Sequence, residues 1–129
     1  MRFGMIGMTR PENFPHLFNI YKQESFTAAT GRERLSTPEK IGQKRLTLSL
    51  ASPDEAERFK QWEMTVTHTI FHPGPPVAKK NYVFALLDKD GEKELRYFRV
   101  KAVQDRGEMH IKTTYFCEER SDINGIGQN

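Results

Sequence analysis

Alternation constrains this chain more than any other feature. In "KRLTLSLA", Leu46, Leu48 and Leu50 fall on one face and Arg45, Thr47 and Ser49 on the other, the period of two that a half-buried β-strand requires. "MTVTHTIF" is dominated by Thr, Val and Ile, which are stiff at χ1 and favour strands. It stops at "HPGPP", where Pro73, Pro75 and Pro76 remove backbone donors and fix turns. "NYVFALL" and "ELRYFRVKAV" flank Asp90 and Gly91, a tight-turn pair that predicts an antiparallel return. "MHIKTTYFCEE" follows, with Met109, Ile111, Tyr115 and Cys117 on one face, which makes the last three segments a meander. With "HLFNIYK" near the start, the expectation is about six strands, enough for a small barrel or sandwich.

One helix is expected among them. Ser52 is placed to cap it, Pro53 stands at its first position, Glu55 completes a capping box and Asp54 adds negative charge to the first turn. "SPDEAERFKQW" predicts about three turns. Ala56 and Phe59 form one stripe with Trp62 near its edge, and Glu57, Arg58 and Lys60 face solvent.

Composition bounds what such a fold can be. At 129 residues, 36% hydrophobic and 29% charged, the chain reads as a single globular domain spanning 1–129 with some irregular segments. The start, "MRFGMIGMTRPENFP", matches neither a secretory signal nor a membrane span, so the expected location is cytoplasmic, without membrane contact. The single cysteine, Cys117, leaves no pair for an intrachain disulfide and is expected to pack as a small hydrophobe. A net charge of +3 permits nucleic acid without implying it.

Chemistry-bearing residues are few. His68 and His72 stand four apart. On a helix the pair would share a usable face, but on a strand rising ~3.3 Å per residue they lie roughly 13 Å apart, too far for one zinc, which needs each imidazole nitrogen at about 2 Å. The expectation is two partly exposed strand histidines and no metal. "DKDGEKE" lacks the ordered spacing of a calcium loop and reads as a hairpin turn. No GxSxG, glycine-rich phosphate cradle or HExxH occurs, and nothing assembles a nucleophile, base and orienter, so neither an enzyme nor a cofactor is expected. "RYFRVK" interleaves aromatics with cations as strands that bind single-stranded nucleic acid do. It reads more simply as a buried face of Phe98 and Val100 opposite a solvated face of Tyr97 and Arg99.

Two stretches predict no regular element. Gln23 to Gln43 reads as a loop of about twenty residues, slightly basic through Arg32, Arg34 and Lys40. Residues 121–129, "SDINGIGQN", read as a polar tail. Both have few large apolar residues to offset a backbone ordering entropy of about 1 to 2 kcal/mol per residue, which suggests docking elements ordered by partners.

The ordered set "RLTLSLASPDEAERFKQ", "VTHTIFHPG", "VAKKNYVFALL", "LRYFRVKAVQD" and "YFCEERSD", from Arg45 to about Asp122, resembles the head closure or head-tail joining proteins of tailed bacteriophages and related prophages. That family has a strand ending in a small residue, a short polar helix, a Thr-His-Ile-like strand, a hairpin with a Tyr-x-Val centre and a final strand. The chain departs from it in a long hairpin turn at Asp88 to Glu94 and a longer amino-terminal arm. The resemblance implies a mainly β protein, a small antiparallel barrel with one short helix, that self-associates as a ring below the portal and its adaptor. Such a ring joins head to tail proteins and helps retain packaged DNA, in the virion and, during assembly, in the host cytoplasm. It also implies that Ser52 to Met64 faces the central channel, which would bring Arg58 and Lys60 toward DNA phosphates. The alternative from a different class is a nucleic-acid-binding barrel that acts independently.

Overall fold

The computed structural model describes residues 16–105 and 111–121. Six strands close into an antiparallel barrel: β1 (His16–Lys22), β4 (Glu39–Leu50), β5 (His68–Pro73), β8 (Lys112–Arg120), β7 (Glu94–Asp105) and β6 (Val83–Leu87), in that spatial order, with β6 returning to β1. Two short strands, β2 (Ser25–Thr27) and β3 (Glu33–Leu35), form a separate hairpin between β1 and β4, and one helix, α1 (Pro53–Lys60), links β4 to β5. The fold is therefore mainly β, a small barrel with a single short helix.

Alternation places the core. Phe18 and Ile20 of β1, Leu46 of β4, Ile70 of β5, Phe84 and Leu86 of β6, Phe98 and Val100 of β7, and Tyr115 and Cys117 of β8 all point inward into one cluster. A six-strand barrel encloses no more than its own side chains can fill. The filling is largely aromatic: Phe18 meets Phe84 at 6.1 Å and Phe98 at 6.2 Å, and Phe84 meets Tyr115 at 4.9 Å, all edge-on, the geometry the ring quadrupoles favour. Cys117 is fully buried in this cluster, a core residue as expected, and that burial pushes its thiol well above its usual range. β6 is buried along its whole length, because Val83 turns outward against Tyr21 and Tyr97 while Phe84 and Leu86 turn inward. On the same outer face Glu94 accepts from Asn19 and Tyr21 of β1 and from Tyr97 of β7, which ties the strands on either side of β6 to each other.

The meander β6–β7–β8 and its turn follow the sequence. Gly91 takes φ +73° in the β6–β7 turn, where Asp88 N–H donates to Lys93 O and Gly91 N–H to Asp88 O. Three expectations are corrected at element ends. Leu50 is 74% exposed because it pairs with His68 at the first residue of β5, where the ladder ends. Ile111 is 66% exposed because β8 begins only at Lys112; Met109 lies outside the described residues. The third correction is helix length. The capping box forms, with Ser52 Oγ accepting from Glu55 N–H and Glu55 Oε1 accepting from Ser52 N–H, but α1 has 8 residues rather than about three turns. Glu63 takes φ +58°, and Met64 N–H bonds back to Phe59 O while Glu63 N–H bonds to Lys60 O, the paired bonds of a Schellman stop. Residues 64–67 are accordingly not strand, and β5 starts at His68. Phe59 anchors the helix on Phe116 of β8 at 4.7 Å.

Candidate docking surface

The stretch from Gln23 to Gln43 is not a featureless loop. It comprises the β2–β3 hairpin and the first residues of β4. Ser25 pairs with Leu35, Phe26 with Arg34 and Thr27 with Glu33. The turn closes through Ala28 N–H to Arg32 O and Gly31 N–H to Ala28 O, with Gly31 at φ +86°, a conformation that costs glycine little. Sequence reading misses these strands because every residue in both is exposed, so no alternation marks them. The glycine at the turn is the one local signal that could have found them.

The hairpin is anchored at its base. Gln23 Nε2 donates to Ser36 O, Ser36 N–H to Glu24 O, and Glu24 N–H to Ser36 Oγ. Gln23 Oε1 in turn accepts from Arg99 at 2.8 Å, and Arg99 also donates to Asn81 O at 3.0 Å. Arg99 is therefore only 9% exposed, which corrects the expectation of a solvated face at that position. A guanidinium leaves water only where hydrogen bonds replace its hydration, and the base of the hairpin supplies them. Beyond that base the hairpin presents Phe26 and Leu35, and the start of β4 presents Ile41, as half-exposed apolar side chains.

Between hairpin and barrel runs a groove of about 470 Å³. Ser25, Glu33, Arg34 and Leu35 line it from the hairpin, Lys80 and Asn81 from the turn before β6, and Arg99, Lys101 and Arg120 from β7 and β8. Glu118 sits against two of these cations, with Lys101 Nζ at 3.4 Å and Arg120 at 3.3 Å from one of its oxygens. Among the described residues, Arg34 and Lys80 have no ion-pair partner.

Two other depressions hold charged side chains that are engaged within them. One of about 580 Å³ contains His68, Arg96 and Glu119, but Arg96 grips Glu119 through two bonds of 2.7 and 2.8 Å, and that pairing holds the Glu119 carboxyl below its ordinary range. Another, of about 320 Å³, lies beside α1 and contains Phe71 and Lys112, whose ammonium is 4.5 Å from the Phe71 ring centre.

The histidines are corrected as well. Both are buried rather than partly exposed, His68 at 8% and His72 at 1%. They share the inward face of β5 with Ile70. Pro73 O can only accept, so His72 Nδ1 carries the proton and donates to it at 2.7 Å. His72 Nε2 then accepts from Tyr115 O–H at 2.8 Å, and the Tyr115 oxygen accepts from Val77 N–H at 2.9 Å. Burial lowers the His72 pKa and raises that of Tyr115 to about 12. Burial also lowers the His68 pKa, and its Nε2 faces the Arg96 guanidinium at 3.3 Å. Both rings are structural members of the barrel wall with protein partners on each nitrogen. No group of three or more metal-ligating side chains is found among the described residues.

Of the residues singled out from sequence, the groove gathers Arg34 and, from "RYFRVK", Arg99 and Lys101. Arg32 and Lys40 are exposed but outside it, on the hairpin turn and early β4. Arg58 and Lys60 are exposed on α1, and the Arg58 guanidinium lies 5.1 Å from the Phe59 ring centre and 5.9 Å from that of Phe116. Residues 122–129 of the expected tail lie outside the described residues. Among the described residues no helix is long and apolar enough to cross a membrane.

No family model matches this chain, and no curated protein matches it. Among solved structures it is similar to the solution structure of protein SF1141 from Shigella flexneri 2a, a structural-genomics target, with a TM-score of 0.57 and 12% identity over 83% of this chain and 93% of that one. At that identity the likeness is one of fold alone.

Proposed function

We propose that this chain is a connector subunit of a tailed phage or prophage, a non-catalytic barrel that assembles as a ring below the portal and adaptor, joins head to tail and helps retain packaged DNA. The observation that carries this reading is the ordered set of segments from Arg45 to Asp122, whose described part falls on consecutive elements β4, α1, β5, β6, β7 and β8. Packing is consistent with an assembly role. The barrel interior is filled by its own side chains, which leaves surfaces rather than a cavity to carry function, and the half-exposed apolar residues of the hairpin suit burial against a neighbour. Light scattering of the purified chain mixed with a tailed-phage portal–adaptor complex tests the proposal. The expected result is a discrete species heavier than the portal–adaptor complex by several copies of the chain, weakened when Phe26 and Leu35 are replaced by Ser. A portal–adaptor complex whose mass is unchanged by excess chain would overturn it. The second reading, a nucleic-acid-binding barrel acting by itself, is favoured by the basic groove.

A further inference from the structure

The groove between the hairpin and the barrel carries five cationic side chains, Arg34, Lys80, Arg99, Lys101 and Arg120, against one lining carboxylate, Glu33. They come from four separate stretches of the chain, and the net charge of only +3 conceals how they converge. Glu118 offsets Lys101 and Arg120 in part, while Arg99 is braced by Gln23 and Asn81. Arg34 and Lys80 reach the groove exposed, without an ion-pair partner among the described residues. Cations gathered at one concave surface raise the local concentration of an anionic partner.

We propose that this groove binds the phosphate backbone of double-stranded nucleic acid without reading its sequence. The lining selects among anionic partners. Leu35 is its one apolar side chain, so it lacks the buried aromatic or aliphatic anchors on which protein interfaces concentrate their affinity. It contains no aromatic ring, so it has no platform on which the bases of a single strand could stack. What remains is a row of cations with the Ser25 hydroxyl and the Asn81 amide, the donor types that hold phosphate oxygens and fix position without specifying bases. The surface differs from the α1 face that the phage resemblance turns toward DNA, because neither Arg58 nor Lys60 lines it.

Fluorescence anisotropy of the full chain with a labelled duplex of arbitrary sequence tests this. At low salt binding should be measurable and equal for unrelated sequences. Log K should fall with log salt with a slope of roughly −0.9 per phosphate contacted, so about −3 for three contacts. The double variant Arg34→Glu, Lys80→Glu should lose at least tenfold in affinity and flatten that slope by about 2. Arg58→Glu, Lys60→Glu removes the same charge elsewhere and should change affinity less than threefold. Thermal denaturation of both variants checks that folding is intact, and if Arg34→Glu, Lys80→Glu unfolds the chain, Arg34→Ala alone should still cost severalfold. Equal losses from the two double variants would mean that binding is diffuse and would overturn the proposal. So would capture of a polyglutamate peptide in preference to the duplex, or tighter binding to an unpaired strand. The inference stands apart from the connector reading: duplex binding without a portal–adaptor interaction retains the groove and removes the connector, and the converse result does the opposite.

Discussion

The barrel and its hairpin solve opposite problems with the same secondary structure. In β5, β6 and β8 nearly every inward side chain is fully buried, and the backbone of each is paired on both sides. In β2 and β3 each strand has a single neighbour and no residue is buried. Closing the barrel abolishes its edges, which makes it stable and leaves it no strand to offer. The hairpin keeps one free edge on each strand and draws its order from the bonds at its base. Stability and availability for partners are thus separated in space, and the Gln23–Arg99 bond is where the two regions meet.

The comparison breaks most readily at the core. Phe84 contacts both Phe18 and Tyr115, so Phe84→Ala should destabilise the protein by about 3–5 kcal/mol, transfer and cavity terms together. Urea denaturation measures it, and a cost near zero would mean that the interior is not packed as described.

A smaller effect is expected at His72. His72→Leu removes the acceptor of the Tyr115 hydroxyl and the donor to Pro73 O, which should cost about 1–3 kcal/mol at pH 7. Its pH dependence sharpens the point. The folded-state pKa lies below the reference value of 6.5, so the unfolded chain binds the proton more readily. The contribution is present above pH 6.5 and is lost as pH falls toward the depressed folded value. His68, lowered in the same direction, adds to the slope. Stability of the native protein should therefore decline from pH 7 to pH 5, and less steeply in His72→Leu. An identical slope in the two proteins would remove His72 as its source.

The smallest effect belongs to the hairpin. Phe26→Ser should change stability by less than about 0.5 kcal/mol, since Phe26 is 49% exposed and touches no part of the core cluster. Hydrogen exchange should show amides of β2 and β3 opening locally, well below the free energy needed to expose those of β6. Protection of the two regions by the same amount would mean that the hairpin is part of the cooperative barrel.

Much of the fold was legible because its signals are local. The alternation around Leu46, the capping box of Ser52 and Glu55, the turn at Gly91 and the inward Cys117 each express preferences set by a few adjacent residues. The failures are of two kinds. Element ends at Leu50, Trp62 and Ile111 depend on where a neighbouring strand stops or where the chain turns back, which periodicity does not encode. The hairpin at Ser25–Leu35 has no buried face, so no hydrophobic pattern announces it.

The amino-acid sequence by itself determined the identity of the six barrel strands, the helix start and the inward place of Cys117, because those follow from side-chain shape and spacing along the chain. Tertiary structure alone decided that His68 and His72 are buried, that Arg99 leaves solvent, and that Arg34 and Lys80 converge with Lys101 on one groove. The bond from Arg99 to Gln23 spans 76 positions, and the His72–Tyr115 bond spans 43. Such pairings depend on the order in which strands close the barrel, so they exist only after loop-closure entropy has been overcome by the packing of the whole.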